Sequence, residues 1–245
     1  TNANTYTWMP GSLSGTSVIV SPTTTTTYTV TGTNTTTGCT KTATRVITVN
    51  CSAVNLKLFI EGYYTGASTM TPVLFNQGVS ASTSVADSIT VELRNTTPPY
   101  AVVRTVKTLL NTNGTASCSF TPFISGNYYI AVKNRNAIQT SSSVGVTVGT
   151  VPITYDFSNL ITKAYNNNML QVSTSPNVFA FYSGDINQDE NVDLTDQSIL
   201  DAGITNFLFG YQAADINGDG SVDILDSTPI ETNINNFVFS SHPWP

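Results

Sequence analysis

The chain has 245 residues, a net charge of −6 and only 10% charged residues, whereas an average soluble domain has about 25%. Its 41 threonines, together with many Val, Tyr and Phe, favour strands over helices. No run of about 18 apolar residues is present, so we expect no membrane span, and the acidic balance excludes a basic nucleic-acid binder. A mainly β fold is expected.

Residues 1–50 alternate in the manner of β-strands and predict a sandwich that is incomplete. Four strands in fifty residues leave an apolar face and an unpaired edge, which invites another chain. Two explanations stay open: the chain boundary cuts the module, or an identical subunit donates a strand here and builds a filament. The predicted strands are Thr5–Trp8, Ser17–Val20, Thr26–Thr31 and Lys41–Val49.

This first segment also carries a family resemblance. The stretch TYTWMPGSLSG and the later VIVSPTTTTTYTVTGTNTTTGCT resemble immunoglobulin-like repeats of very large bacterial surface proteins. Many proteins of that kind are exported by the type IX system. In that family two strands and a Cys precede the Tyr-Thr-Trp strand, and this chain starts after them. The resemblance implies an immunoglobulin-like module in a secreted or cell-surface protein.

Residues 52–150 predict a second, complete antiparallel β-sandwich, because short strands alternate with turn residues over about a hundred positions. Residues 151–183 predict a packed connector, since they are rich in aromatic and aliphatic side chains. The predicted strands are Asn55–Tyr63, Ser88–Arg94, Ala101–Leu110, Thr115–Pro122, Gly126–Lys133 and Ser143–Val148. The candidate platform for stacking a polysaccharide comprises Tyr63, Tyr64, Tyr128 and Tyr129.

The charge of the chain changes abruptly after this point. All nine basic residues lie at or before Lys163, whereas the chain from residue 164 onward carries eleven acidic residues and no Lys or Arg. Eleven like charges repel one another in a compact fold unless cations neutralise them. The same segment contains too many Phe, Ile and Leu residues for a solvated tail. We therefore expect residues 184–245 to fold around bound metal ions.

The acidic segment repeats itself at an interval of thirty residues. Twelve residues from Asp185 align with twelve from Asp215, and Asn206-Phe207-Leu208-Phe209 aligns with Asn236-Phe237-Val238-Phe239. Oxygen donors occupy positions 1, 3, 5, 9 and 12, and position 7 offers its backbone carbonyl, which is the spacing of calcium loops. The predicted ligands are Asp185, Asn187, Asp189, Asn191, Asp193 and Asp196, then Asp215, Asn217, Asp219, Ser221, Asp223 and Asp226.

Two calcium ions are the predicted cofactors, because the donors are all oxygen and the loops contain no Cys or His. A pair of Asx-rich surface turns is the alternative, but two copies in register without a compensating base argue against it. Position 6 needs a positive φ, which Gly220 adopts freely and Glu190 does not. The first site is therefore predicted to be the weaker or more strained one.

A short helix is predicted after each loop, at about Leu194–Gly203 and Ile224–Asn233. Val192 and Val222, at position 8, are expected to pair between the loops and join the two sites. The apolar residues expected to face each other across the helices are Ile199, Leu200, Ile204, Ile230 and Ile234.

Two duplicated loops of this kind, each with Asp at position 12 and one following helix, resemble the type I dockerins over about Gly184 to Ser240. The resemblance implies a small α module that folds on calcium and binds a cohesin-like receptor. The metal ligands match position by position. Dockerins commonly carry Ser-Thr at positions 10 and 11 and a Lys-Arg pair in the helix, where this chain has Leu194-Thr195, Ile224-Leu225 and no base.

Three cysteines are too few for a disulfide framework, although one bridge is compatible with a location outside the cell. Cys39 and Cys51 are the predicted pair, and Cys118 is the third cysteine. The closing residues 242–245, His-Pro-Trp-Pro, are expected to fold back on Tyr182 as an aromatic clasp.

The sequence argues against catalysis. Its only histidine is His242, and no Ser-His-Asp or Cys-His set surrounds it. The leading interpretation is a non-catalytic, secreted or cell-surface structural or adhesive protein that is stabilised by two calcium ions and assembles from identical subunits. The alternatives are a docking module for a cohesin-like receptor and a carbohydrate-binding protein.

Overall fold

The computed structural model describes residues 3–22, 24–49 and 51–244. The chain forms two compact units, Thr1–Cys51 and Ser52–Pro245. Strands hold 42% of the described residues and helices 15%, so the predicted mainly β class is confirmed. Within the described ranges, no helix is long and apolar enough to span a membrane.

The first unit is a single antiparallel sheet in the order β2-β1-β3-β4. The register pairs Trp8 with Val30 and Val30 with Ala43, so these side chains share one face of the sheet. The expected strand Ser17–Val20 is wrong: these residues pair with no strand, and the Ile19 side chain is 97% exposed. The strands are β1 (Thr5–Met9), β2 (Leu13–Ser14), β3 (Thr26–Thr33) and β4 (Thr40–Ile47).

The second unit contains two larger sheets and two small hairpins. One sheet has the order β10-β5-β14, and the other has the order β12-β11-β8-β9 with β13 paired to β11. The strands are β5 (Ser52–Lys57), β6 (Tyr64–Gly66), β7 (Thr69–Met70), β8 (Val85–Asn95), β9 (Val102–Asn111), β10 (Thr115–Phe120), β11 (Gly126–Asn134), β12 (Ala137–Ser141), β13 (Val146–Val148), β14 (Ile153–Asp156), β15 (Leu170–Thr174) and β16 (Asn177–Ala180).

The two larger sheets pack as a sandwich because strands of both contribute to one buried core. In β10 every second residue is buried, which directs Cys118 and Phe120 inward. Val54 of β5 and Val91 of β8 lie in the same cluster. The strand pairs within residues 52–150 are antiparallel, as predicted, and the one parallel pair among the described strands joins β5 to β14, which lies in the predicted connector.

The residues predicted to be a connector are built into this core. β14 lies within them and pairs with β5, and β15 pairs with β16 as a hairpin. The rings of Phe157 and Phe181 are 5.1 Å apart and fully buried. The same core therefore holds the start of the acidic segment in place.

Two predictions about individual residues are wrong, one in this unit and one in the first unit. β5 ends at Lys57, and a 3₁₀ turn at Glu61–Tyr63 replaces the expected end of the first strand, because Tyr63 turns into the core. The predicted Cys39–Cys51 bridge is absent: both thiols are free and exposed, and Cys118 is free and buried. A short helix, α1 (Val73–Asn76), follows β7.

The acidic segment contains two helices that close a second apolar core. α2 (Leu194–Thr205) confirms the first predicted helix, and the second divides into a 3₁₀ turn, Ile224–Asp226, and α3 (Ser227–Asn235). Ile138 of β12 joins this core, so the segment packs on the sandwich. Leu200 and Ile230 are fully buried and Ile204 and Ile234 partly buried, whereas Ile199 faces solvent, contrary to the prediction.

Candidate metal centre

Each acidic loop ends in a capped helical turn. Asp193 Oδ1 accepts the N–H of Thr195 at 2.7 Å, and Asp223 Oδ1 accepts the N–H of Leu225 at 2.8 Å. These carboxylates are N-caps, which satisfy backbone donors that a helix leaves unpaired. Position 9 of each loop therefore also starts the helical turn that follows it.

The carboxylate at position 12 folds back over its own loop. Asp196 Oδ1 accepts the N–H groups of Ile186 (2.7 Å) and Asn187 (3.1 Å), and Oδ2 accepts the N–H of Asp193 at 3.0 Å. The second loop repeats these bonds, from Asp226 Oδ1 to Ile216 (2.7 Å) and Asn217 (3.0 Å) and from Asp226 Oδ2 to Asp223 (2.9 Å). The sequence repeat is thus also a structural repeat.

Side chains at positions 3 and 5 curl the middle of each loop. Asn187 Oδ1 accepts the N–H of Asp189 at 2.9 Å, and Asp189 Oδ1 accepts the N–H of Asn191 at 3.0 Å. The equivalent bonds in the second loop link Asn217, Asp219 and Ser221 at 2.8 and 2.9 Å. Such Asx turns bend the backbone around the carboxylates at positions 1 and 12.

The carboxylates at positions 1 and 12 are buried next to one another. Burial raises the pKa of Asp185 to about 7, and the neighbouring charge of Asp196 contributes to this rise. Burial likewise raises the pKa of Asp226 to about 6, with a further contribution from Asp215. All four side chains are at most 1% exposed. Buried like charges of this kind favour protons or cations, since the ionised form is otherwise destabilised.

The donor chemistry of the loops fits a hard cation such as calcium, which takes six to eight oxygen ligands. Among residues 3–22, 24–49 and 51–244, no three His, Cys, Asp or Glu side chains stand together as a ready-made metal cluster. An ion in either loop would therefore draw further ligands from Asn or Ser side chains and from backbone carbonyls. This mixed oxygen set favours calcium over zinc.

The predicted pairing of Val192 with Val222 is wrong, although both side chains are buried in the same core. The N–H of Val192 donates to the carbonyl of Val238 at 2.9 Å, and the N–H of Val222 donates to the carbonyl of Leu208 at 2.9 Å. Each loop thus pairs with the segment that follows the helix of the other repeat, because that segment offers a free carbonyl. The two loops are joined through these exchanged segments.

Sandwich residues that the sequence analysis missed also contact the second loop. The Nε2 of Gln77 donates to Asp215 Oδ2, and the Nδ2 of Asn136 donates to the Asp215 carbonyl at 3.1 Å. Asn76 Nδ2 donates to the Gly218 carbonyl at 3.0 Å. Glycine at positions 4 and 6 is the only signal of this contact in the sequence, since the first loop has Gln and Glu there.

The predicted sugar platform is not formed. Tyr63 is fully buried, and its hydroxyl donates to Asp87 Oδ2 at 2.9 Å. The side chain of Asp87 is also fully buried, and it accepts bonds from Tyr211 and Arg135 at 2.8 and 3.0 Å. Tyr63 therefore belongs to a buried polar cluster beside the second loop.

The closing aromatic segment packs elsewhere than predicted. The Trp244 ring lies under the Arg94 guanidinium at 4.4 Å and contacts Tyr129, with the ring centroids 6.5 Å apart, so Tyr182 is not its partner. His242 stacks on Trp244 at 4.5 Å, and its Nε2 lies 3.0 Å from Glu190 Oε2 in the first loop. The predicted contribution of Pro245 lies outside the described residues.

Large apolar side chains are exposed next to both loops. Phe207 and Phe237, in the two repeated Asn-Phe segments, are 85% and 84% exposed. Leu194, at position 10 of the first loop, lies with Phe237 and Phe239 along a groove of about 540 Å³. Exposed apolar patches of this kind are typical of interaction surfaces.

Comparison with known proteins identifies no family. No protein-family profile matches the chain, and no curated protein matches it. Two solved structures, an N-terminal and a C-terminal interface mutant of a type II Cohesin-X-Dockerin complex from Acetivibrio cellulolyticus, show a weak likeness. Their identities are 15% and 16% and their TM-scores 0.43 and 0.42, over 75% of this chain and 95% of each of those chains. A likeness this weak carries no argument about function.

Proposed function

We propose that the chain is a non-catalytic, secreted or cell-surface structural or adhesive protein whose residues 184–245 bind two calcium ions. The observation that carries the proposal is the pair of loops with equivalent hydrogen bonds around four buried carboxylates. No Lys or Arg occurs after Lys163 to neutralise them within the segment. A divalent cation in each loop would supply that charge.

The residues of each loop have separate roles in this proposal. Asp185 and Asp215 accept backbone N–H groups of their own loops, which fixes their carboxylates at the centre. Asp196 and Asp226 close the loops from the helical side. The residues at positions 3, 5 and 7 are exposed, except Asn217, which is partly buried, and they would complete the oxygen shell on entry of the ion. Calcium, when bound, supplies a positive charge that links these ligands.

Calcium binding would stabilise more than the loops, because the acidic segment is hydrogen-bonded to the sandwich. Glu61 Oε2 accepts the N–H of Ser183 at 2.9 Å and Nδ2 of Asn233 at 2.7 Å. Burial raises the pKa of Glu61, while these two bonds oppose the rise. Ordering of the loops is thereby transmitted to the larger core.

The proposed organisation is that of a modular surface protein of the type IX cargo kind. Residues 1–50 form a partial immunoglobulin-like module, residues 52–150 a sandwich, residues 151–183 a packed connector and residues 184–245 a dockerin-like calcium module. The exposed strand β4 supports assembly through residues 1–50, since seven of its eight residues are exposed. An identical subunit is the proposed occupant of that strand edge.

Calorimetric titration of metal-free protein with calcium tests the proposal. We expect two ions per chain, and none in a variant that carries both Asp189→Ala and Asp219→Ala. These ligands are exposed, so their removal spares the core. A chain that binds no calcium at neutral pH would contradict the proposal.

A docking module for a cohesin-like receptor is the second candidate, and the exposed apolar residues at loop positions 10 and 11 favour it. Ile224 and Leu225 are 70% and 64% exposed beside an acidic segment, which suits a partner with an apolar face and a basic rim. Light scattering after gel filtration separates the candidates. Self-assembly of the pure chain supports the first, and a one-to-one complex that Phe237→Ser abolishes supports the second.

A further inference from the structure

The two loops differ at positions 4 and 6, where the first has Gln188 and Glu190 and the second has Gly218 and Gly220. Backbone conformation does not explain the difference, because all four residues adopt a positive φ, between 61° and 99°. The second loop thus has glycine at two positions where the first loop holds larger residues in the same backbone conformation.

Contact with the sandwich accounts for both glycines. A Cβ on Gly218 would collide with Val73 Cγ2 of α1, and a Cβ on Gly220 would lie 2.9 Å from the carbonyl oxygen of Asn76. Real Cβ atoms do not approach other heavy atoms this closely. The second loop therefore has glycine at positions 4 and 6 because α1 covers the loop at these two positions.

The covering segment also places a polar side chain on the loop. Gln77, at the end of α1, is 9% exposed and donates through Nε2 to Oδ2 of Asp215, the residue at position 1. Its Oε1 has no hydrogen-bond partner within the described residues. In the first loop, no side chain of the described residues donates to the Asp185 carboxylate, which accepts backbone N–H groups that include those of Asp189 at 3.1 Å and Glu190 at 3.2 Å.

The backbone of Asp215 is held from the sandwich as well. Its carbonyl accepts Nδ2 of Asn136 at 3.1 Å and Nη2 of Arg135 at 3.5 Å. Arg135 is itself fixed by Asp87, with Nε 3.0 Å from Oδ2. The side-chain carboxylate and the backbone carbonyl of Asp215 are therefore both positioned by residues far from it in sequence.

We infer that the second metal site is shared between the loop and the sandwich, and that Gln77 is a positioning residue of that site. The inference rests on the proposed binding of calcium by both loops. Gln77 fixes one oxygen of Asp215, so that the carboxylate meets the ion in a single orientation. The first loop depends on its own backbone for the same task. Partners behind metal ligands commonly change affinity by about 10–100-fold.

Single-site proteins test this inference. In an Asp189→Ala background only the second loop is intact, and we expect Gln77→Met to weaken calcium binding about tenfold or more by calorimetry. In an Asp219→Ala background only the first loop is intact, and the same substitution should leave its affinity within about twofold, because Gln77 does not touch that loop. Gln139→Met in the Asp189→Ala background is the matched control for the second loop, since Gln139 is a buried glutamine that contacts the Glu190 side chain of the disabled first loop.

The outcomes separate the two proposals. If the Asp189→Ala protein with Gln77 intact binds no calcium, the proposed function fails first. If it binds calcium and Gln77→Met binds equally tightly, the shared site is overturned while calcium binding stands. Thermal unfolding distinguishes a binding defect from a folding defect. In the Asp189→Ala background, the rise in melting temperature on adding calcium should shrink in Gln77→Met and persist in Gln139→Met. Equal losses with and without calcium would reduce Gln77 to a packing role and overturn the inference.

Discussion

Removal of calcium by EDTA is expected to lower the stability of residues 52–245 sharply. Four carboxylates are buried in two adjacent pairs, and the segment that carries them contains no basic residue. Arg135 is the cation that the sandwich brings to the second loop, and it is already paired with Asp87. Without an ion, each pair of carboxylates has to hold protons or bear mutual repulsion.

The size of the effect follows from the linkage between binding and folding. An ion at 100 times its dissociation constant stabilises the folded state by about 2.7 kcal/mol, so two sites contribute about 5 kcal/mol. For a unit of this size, 1 kcal/mol shifts the melting temperature by about 2–4 °C, so EDTA should lower it by about 10–20 °C.

The effect of calcium should grow with pH. In the metal-free protein, the pKa of Asp185 is raised from 3.8 to about 7 and that of Asp226 from 3.8 to about 6. Between pH 3.8 and these raised pKa values, the folded state holds protons that the unfolded state has released. The stability of the folded state therefore falls as the pH rises through this range. Bound calcium would require the ionised carboxylates, so we expect added calcium to reverse this slope.

Differential scanning calorimetry at pH 5 and pH 8, with calcium and with EDTA, measures both effects. We expect a small difference between calcium and EDTA at pH 5 and the full difference at pH 8. The double variant Asp189→Ala, Asp219→Ala serves as the control and should respond weakly to calcium. Melting temperatures within about 2 °C of each other at pH 8 would refute the reasoning, since one occupied site alone shifts it further.

Three further predictions concern packing and the thiols. Gly218→Ala should destabilise the unit by about 1–3 kcal/mol more than Gly78→Ala in urea unfolding, because both positions have a positive φ but Gly78 has open space around it. Asp87→Ala should cost about 3–5 kcal/mol in the same assay, since it leaves Arg135 buried without its partner. Thiol titration should find two fast cysteines and one slow one, because burial raises the pKa of Cys118 to about 12.

Local patterns predicted the strands that have strong alternation and clear turn residues at their ends. The predicted strand Ser88–Arg94 lies inside β8, whose apolar residues face the core. Ser17–Val20 contains three β-branched residues but has no partner strand among the described residues, which a local pattern does not reveal. β14 was missed for a related reason: it pairs in parallel with β5, about a hundred residues earlier in the chain.

The candidate site also has features that local sequence predicts and contacts that depend on the folded sandwich. Its loops were predicted from the sequence because the ligand spacing and the thirty-residue repeat are local features. Metal binding by the twelve predicted residues stays a prediction. The contributions of Gln77 and Glu61 were invisible, because they meet the acidic segment across 138 and 122 positions of sequence. Only folding of the sandwich brings these groups to the loops.

The two sites should differ in affinity, with the first the weaker. Glu190 holds a φ of +75°, a conformation that costs a non-glycine residue about 1–2 kcal/mol, whereas Gly220 adopts +99° freely. Contacts from Gln139 and His242 to the Glu190 side chain offset part of that strain. We expect calorimetry to give a dissociation constant about fivefold or more higher at the first site, and Glu190→Gly to narrow the gap. Matched dissociation constants in the unmodified chain would refute this prediction.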